Sequence, residues 1–464
     1  MADQFDIVVI GGGPGGYVAA IRAAQLGAKT ALVEKDQLGG TCLNVGCIPS
    51  KALLSSAERL HELRSSDQLG IRVQGEVTFD WAAVMNHKER TIRQLRGGVE
   101  LLVKSNGIAL FRGTGSLITP GRVRVEGVDG VQELEAKNVI LATGSVEARP
   151  PIPGLDLPGV IGSTQALSIE AVPPSIVVIG GGAVGCEFAS VFHHFGAHVT
   201  IVEMMENLLP LEDADLGNGL ARSFGRQGIA VKTSAKVDRI TGQDGALRVE
   251  LAGGEAIEAA KVLVAIGRTP YTEGLGLERV GVEMDRRAVK VDDHMRTNVP
   301  GVWAIGDATG KFPLAHVASM QGEVAVENAL GGDVTMDYST VPSVVYTIPQ
   351  TAAVGLSEAK ARAAGHDVRV GVFPFQASGR AIAARDTEGF VKVVADGKWS
   401  RILGVHVLHS RAGDVIEEAV VAMKLESTVE DLVAAIHPHP TYTEAIAEAA
   451  LAVENRAIHV PPKR

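Results

Sequence analysis

FDIVVIGGGPGGYVAAIRAAQLGAKTALVE, residues 5–34, holds a strand, a glycine-rich turn, a helix and a second strand. Apart from Asp6, FDIVVI (5–10) is an apolar run rich in β-branched residues, the composition of a parallel strand buried on both faces. Gly11, Gly13 and Gly16 then form GxGxxG. Their tasks are a tight turn, backbone approach to a pyrophosphate, and close packing of helix on strand. The following segment carries alanines and apolar residues at helical spacing, with Gly27 at its end. A strand over Thr30–Val33 delivers Glu34, an acid placed for ribose hydroxyls. The helix N-terminus supplies N–H donors and positive potential for a diphosphate.

The unit recurs in SIVVIGGGAVGCEFASVFHHFGAHVTIVE (175–203). Gly180, Gly182, Gly185 and Glu203 each lie 169 positions after their counterparts, as Gly180 does after Gly11. Two such units imply two dinucleotide sites. VILATGS (139–145), VLVAIGR (262–268) and VWAIGDATG (302–310) bring further strands to a sheet's carboxyl edge, where ligands of open α/β sheets bind. From Pro342 onward the glycine signatures stop, and strand-like runs such as FVKVVAD and RILGVHVL alternate with alanine-rich helices. The expected fold is α/β, with two Rossmann-like dinucleotide-binding domains and a C-terminal α+β domain. The expected boundaries are 1–148, 149–270, a central segment 271–341, and 342–464.

A net charge of −10, with no basic run interleaved with aromatics, argues against nucleic acid or an acidic lipid surface as partner. The short polar start leaves no room for a secretory leader, and no apolar run approaches the ~20 residues of a spanning helix. A cytoplasmic protein is expected. Three cysteines exclude a disulfide scaffold, so a close cysteine pair points to redox or metal chemistry.

That pair is Cys42 and Cys47 in GGTCLNVGCIPSKALL (39–54). Five residues of regular helix rise ~7.5 Å, beyond the ~4.4–6.8 Å Cα separation of a disulfide. Asn44 and Gly46 must therefore bend the chain if the two bond. No further ligand stands at metal-binding spacing, which favours a redox disulfide and no metal. Pro49 fits the first turn of a helix running through Lys51 to Leu60, which makes Cys47 the better candidate for a resting thiolate. Cys186 has no partner cysteine nearby and reads as a buried small apolar residue.

GGTCLNVGCIPSKALL, with ATGS (142–145), GRTP (267–270), AIGDATG (304–310), FPFQASGRA (373–381) and HPHPTYTEA (437–445), resembles the pyridine nucleotide–disulfide oxidoreductases over essentially the whole chain. Within them it is most similar to the branch that reoxidises dihydrolipoyl groups. The resemblance implies FAD in the first dinucleotide site, NAD in the second, and a C-terminal dimerisation domain. It implies that Cys42 exchanges with substrate sulfur while Cys47 faces the flavin. It implies Lys51 near the flavin ring, paired with Glu187. Asp307 would bind the ribitol or phosphate region, and the helix starting near Ala315 would aim its dipole at the ring. Gly115, Thr143, Gly144, Ser145 and Gly267 would complete the cofactor sites. Lys51 and Glu187 could equally form an ordinary salt bridge, and His316 could be a packed core histidine.

A dithiol with pKa near ~8.5 needs a base at neutral pH, and histidine suits that work. The resemblance selects His439, with Glu444 to orient it, and leaves His437 to structure. Because the base lies far from Cys42 in sequence, it would come from the other subunit of a homodimer. Lipoyl-bearing proteins of 2-oxo acid dehydrogenase complexes or the glycine cleavage system are the implied partners, since no lipoyl module precedes the flavin unit. Ser50 and the cysteine-free tail AIHVPPKR argue against the glutathione and mercuric reductase branches. The alternatives are another disulfide reductase of the family, or a flavoprotein serving mainly as a complex subunit. Ala183 and Gln350 depart from the family pattern, at positions tied to nicotinamide gating and the interface. Glu203 and the run 204–221, which has no Lys or Arg, favour NAD over NADP.

Overall fold

The computed structural model describes residues 3–128, 130–243 and 246–461; Met1 and the last three residues of the tail AIHVPPKR lie outside them. The chain forms two compact units, one of residues 1–52, 85–149 and 267–337, the other of residues 53–84, 150–266 and 338–464.

In the first unit, β1 (Asp3–Ile10) pairs in parallel with β2 (Thr30–Glu34) and with the second half of β6 (Gly130–Leu141). β3 (Ala109–Arg112) extends the sheet beyond β2, and Val302–Ala304 lies parallel to β6. β4 (Thr114–Thr119) and β5 (Arg122–Gly127) add an antiparallel flank on the first half of β6. Val9 stands opposite Leu32 and Ile140, so Gly11, Glu34 and Ala142 all emerge at one carboxyl edge. Ile7, Val8 and Val9 are wholly buried, as an unbroken apolar strand requires.

Helix α1 (Pro14–Gln25) covers this sheet. Its inward residues Ala19, Ala20 and Ala23 are wholly buried, and their small size lets a neighbouring helix, Ala315–Ala329, come close. A Cβ on Gly322 of that helix would stand 2.8 Å from Gly15 O, so the two backbones are nearly in contact. Gly27, at φ +83°, ends α1 as its position predicts.

The second unit repeats the parallel design. Strands Ala230–Lys232, His198–Val202, Ser175–Ile179, Lys261–Val264 and Val160–Ile161 lie side by side in that order. Helix Ala183–His194 follows the glycine turn. A three-stranded antiparallel sheet (237–243, 246–251, 256–259) packs beside it. The C-terminal part is a five-stranded antiparallel sheet ordered Pro342–Val345, Gln350–Gly355, Ile402–His409, Phe390–Asp396, Val368–Pro374. Helices Ala412–Lys424 and Glu444–Val453 join its core. Phe375, Val391, Val393, Val405 and Val407 are wholly buried there, each worth ~1.5–3 kcal/mol relative to exposure. Among the described residues no helix is long and apolar enough to cross a membrane.

Candidate functional site

The two glycine turns are built alike. Gly11 and Gly180 have φ of +106° and +109°, open to glycine and strained for other residues. A Cβ on Gly16 would fall 1.8 Å from Gly11 O, and one on Gly185 2.0 Å from Gly180 O, so strand–helix packing forbids a side chain at both. The middle glycines differ. A Cβ on Gly182 meets no protein atom within 4 Å, and one on Gly13 meets only Gly40 Cα at 3.8 Å. The protein's own packing does not demand glycine there, whereas a diphosphate lying on the backbone would. Gly13 and Gly182 are also the N-caps of their helices, with no side-chain cap bond. No N-cap side chain therefore covers the start of either helix, the end where N–H groups and positive potential favour an anion.

Glu34 and Glu203 hold the same place in each unit. Glu34 accepts N–H bonds from Gly12 (Oε2, 2.6 Å) and Asp36 (Oε1, 2.7 Å). Glu203 accepts from Gly181 (Oε2, 2.6 Å) and Met205 (Oε1, 2.7 Å). Both side chains are buried, and each carboxylate ties the glycine turn to the end of the second strand. Each oxygen keeps a further lone pair for a ribose hydroxyl.

Cys42 lies in α2 (Gly40–Val45), and Cys47 is the first residue of α3 (Cys47–Arg64). Gly46, at φ −147° and ψ −115°, breaks the helix between them. That is the bend the spacing demands, and it leaves Cys47 at a helix start. Cys42 is half-buried, Cys47 is exposed, and both are thiols. The hydrogen bond with Cys47, reinforced by burial, pushes the Cys42 thiol up, against the pull of Lys51. Cys47, as the first residue of α3, stands where a helix N-terminus favours a thiolate. Asn44 fixes this loop: its Nδ2 donates to Leu38 O (3.0 Å) and Gly40 O (2.9 Å), and its Oδ1 accepts from Arg96 Nη2 at 2.7 Å and Nε at 3.0 Å. Arg96 comes from α4 (Trp81–Ser105), and nothing in its sequence context points to this role.

The remaining residues expected around FAD share the first unit with Cys42. Ser145 donates to Asp307 Oδ2 at 2.5 Å, and Arg268 Nε donates to Ser145 Oγ at 2.7 Å. Arg268 Nη2 reaches Ser145 O (2.7 Å) and Thr41 Oγ1 (3.4 Å), beside Cys42. Sequence reasoning took Gly267 from GRTP and missed this arginine. Thr143 Oγ1 donates to Tyr271 O at 2.7 Å, and Tyr271 N–H donates to Gly144 O at 2.9 Å. Gln321, wholly buried and also missed, accepts from Gly306 N–H at 2.6 Å. Gly115 has a packing reason of its own, since a Cβ would lie 3.0 Å from Ile10 Cγ2 and 3.1 Å from Val33 Cγ1. Ala315 is the first residue of its helix. His316 is exposed, which rules out the packed core histidine, because the helix turns that face outward.

In the second unit Glu187 is buried and accepts the Tyr346 N–H at 3.1 Å. Cys186 is wholly buried, donates to Gly181 O at 3.3 Å, and is pushed up by burial, so it is inert. Gln350 accepts from Gly413 N–H at 3.0 Å, and Ala183 is exposed at its helix start.

His439 Nδ1 lies 2.8 Å from Glu444 Oε1, and the imidazole side chain is 78% exposed. Burial works against ionisation of Glu444, but the Thr441 N–H on its Oε2 (2.7 Å) and the neighbouring His439 and His437 outweigh it and hold the carboxyl below its ordinary range. An anionic Glu444 requires the proton on Nδ1, which leaves Nε2 as a basic lone pair turned to solvent. His437 bonds instead to Glu418 (Nε2, 2.6 Å) and Ala435 O (Nδ1, 2.9 Å), so both of its nitrogens are occupied. Among the described residues no three His, Cys, Asp or Glu side chains cluster to hold a metal ion.

Twin dinucleotide cradles, a cysteine pair at a helix junction and a carboxylate-oriented histidine define a flavin- and nicotinamide-linked disulfide oxidoreductase. Residues 5–322 match the family described as pyridine nucleotide-disulphide oxidoreductase, and 341–450 match its dimerisation domain; the chain belongs to this family. Among its relatives, dihydrolipoyl dehydrogenase of Chlamydia muridarum is 43% identical, with both chains covered in full. The dihydrolipoyl dehydrogenase of Thermus scotoductus is 44% identical, over 98% of this chain and 99% of its own. The crystal structure of LpdA from Mycobacterium tuberculosis superposes with a TM-score of 0.89 at 31% identity, covering 97% of this chain and 99% of that one.

Proposed function

We propose that this chain is an NAD-linked dihydrolipoyl dehydrogenase, in which Cys42 and Cys47 form the redox disulfide and His439 is the base. The observation that carries the reading is the His439–Glu444 pair, whose one free ring nitrogen is basic, in a chain whose only close cysteine pair stands at a helix start. His439 Nε2 removes the proton of one dihydrolipoyl thiol. The resulting thiolate attacks Cys42 Sγ, breaking the Cys42–Cys47 bond and leaving Cys47 as thiolate at the N-terminus of α3. The second dihydrolipoyl thiol displaces Cys42 from the mixed disulfide and its proton passes to the departing Cys42 sulfur. The lipoyl disulfide leaves, and the electron pair rests on the two cysteines. The chemistry that FAD supplies when bound is transfer of this pair to NAD+ as hydride, giving NADH and a proton.

Gly11, Gly13, Gly16, Glu34, Thr143, Gly144, Ser145 and Asp307 would hold FAD, with Lys51 beside its ring. Gly180, Gly182, Gly185 and Glu203 would hold NAD. In this reading residues 1–148 and 271–341 serve FAD, 149–270 serve NAD, and 342–464 build a homodimer in which His439 of one subunit acts on the cysteines of the other. The substrate would reach the enzyme on lipoyl-bearing proteins, in the cytoplasm.

An anaerobic assay of NAD+ reduction by dihydrolipoamide, beside glutathione disulfide and mercuric ion with NADPH, tests the reading. Cys42→Ser and Cys47→Ser should each lose dihydrolipoamide turnover and retain FAD. Turnover in either variant, or a preference for glutathione or mercuric ion, refutes it.

A further inference from the structure

FPFQASGRA (373–381) is a motif that the thiol chemistry leaves unused. Its Phe375 is wholly buried and stacks on His409, with ring centroids 3.8 Å apart at 28°. His409, the last residue of strand Ile402–His409, is also wholly buried, and its other neighbour is the Tyr442 ring at 4.6 Å. Tyr442 stands edge-on to Phe375 at 6.3 Å, and the Arg380 guanidinium covers it at 5.3 Å. Asp386 Oδ2 accepts from Ser410 Oγ and from the Tyr442 hydroxyl at 3.5 Å, and lies 3.6 Å from His409 Nε2. His409 itself is fixed, since Nε2 donates to Asp386 O at 2.9 Å and Nδ1 accepts from Arg411 N–H at 3.2 Å. Tyr442 lies three residues after His439 and two before Glu444.

Within the segment 438–443, Tyr442 is the hydrophobic residue packed on the C-terminal core. The other bonds there are local: Thr441 Oγ1 donates to Pro438 O (2.8 Å) and meets Thr443 Oγ1 at 3.0 Å. Beyond these, the segment is tied to the start of helix Glu444–Val453, through Thr441 N–H and His439 Nδ1 on Glu444, and Tyr442 is its side-chain link to the sheet side of the core. We propose that Tyr442, caged by Phe375, His409, Arg380 and Asp386, is the positioning residue that holds the His439–Glu444 pair in its working geometry. The proposal rests on His439 being the base. Burial pushes the Tyr442 phenol up and the His409 imidazole down, so both rings stay uncharged around neutrality. A misplacement of about 1 Å can cost ~100-fold in a catalytic step, so an anchor behind an exposed base affects rate before it affects binding.

Tyr442→Leu keeps an apolar side chain and removes the ring, and Tyr442→Phe keeps the ring and removes only the long hydroxyl bond. In the purified FAD-loaded enzyme, Tyr442→Leu should lower kcat for dihydrolipoamide about tenfold with KM within twofold, and raise the solvent deuterium isotope effect on kcat. Tyr442→Phe should recover at least half of the wild-type kcat. NADH-dependent ferricyanide reduction, which needs no base for a thiol, should be unchanged in both and reports an intact fold. His439→Ala separates the two readings. If it retains turnover, the base assignment and the anchor both fall. If it is inactive while Tyr442→Leu keeps wild-type kcat and isotope effect, or loses ferricyanide activity in parallel, the anchor alone is overturned.

Discussion

Glu203→Gln is the sharpest probe of the second dinucleotide site, because the structure gives the carboxylate two bonds to the glycine turn before any ligand is considered. Gly181 and Met205 each donate an N–H to a separate oxygen, at 2.6 and 2.7 Å. Glutamine keeps one acceptor oxygen, and its NH2 must face the other N–H. A hydrogen bond to a charged group is worth about 1.5–3 kcal/mol, and a buried donor left unpaired costs about 1–3 kcal/mol. The loss falls on the turn that NAD+ must lie against, and the adenosine ribose loses an anionic acceptor as well. Taking the low end, we expect KM for NAD+ to rise at least tenfold, on the scale of ~1.4 kcal/mol per decade, with FAD content unchanged. The assay is steady-state NAD+ reduction by saturating dihydrolipoamide, with the flavin quantified by absorbance. Glu34→Gln perturbs the mirror geometry in the first unit, where Gly12 and Asp36 donate at 2.6 and 2.7 Å, and should instead lower FAD retention. A KM for NAD+ within twofold of wild type, or flavin loss from Glu203→Gln, refutes the assignment.

Wild type should prefer NAD+ to NADP+ by at least about tenfold in kcat/KM, because a 2′-phosphate at Glu203 meets like charge worth ~1–3 kcal/mol; equal use of both coenzymes would overturn this. Hybrid dimers of a Cys42→Ser chain with a His439→Ala chain should regain activity, since one of their two sites holds both groups, and inactive mixed dimers would refute sharing between subunits. Asn44→Asp keeps the acceptor for Arg96 but sets a carboxylate oxygen against Leu38 O and Gly40 O, at the 3.0 and 2.9 Å now bridged by Nδ2, so stopped-flow reduction by dihydrolipoamide should slow at least about tenfold. Lys392, with its side chain 3% exposed, meets Asp213 (3.0 Å), Asp215 (2.6 Å) and Glu358 (3.0 Å), and Lys392→Met should cost about 3–5 kcal/mol in denaturant unfolding by stranding buried Asp213. Burial opposes both charges, yet the partners hold Asp213 below and Lys392 above their ordinary ranges. This stabilisation is therefore complete above the unfolded aspartate value of ~3.9 and below the unfolded lysine value of ~10.4. It is lost as pH falls through the lowered Asp213 pKa or rises through the raised Lys392 pKa, so a wild-type advantage that varies between pH 6 and 9 would contradict it.

The sequence by itself determined the α/β class, the two glycine turns with their acids, the bend between Cys42 and Cys47, and the separate C-terminal sheet. Those features are local. An apolar run five or six residues long, a glycine whose Cβ would strike the next turn, or a cysteine spacing that no straight helix closes is dictated within one short segment. The His439–Glu444 pair was picked out by the resemblance of HPHPTYTEA to the family's segment, with the acid five positions on at a helix start as local support. What only the tertiary structure decided is which distant residues support them. Arg96 meets Asn44 across 52 positions, Arg268 meets Ser145 across 123, and Asp386 meets Tyr442 across 56. Lys392 reaches Asp213 across 179. Each is an ordinary polar residue in its own stretch of chain. Its partner is set by how strands far apart in sequence are ordered side by side, which neither periodicity nor spacing encodes.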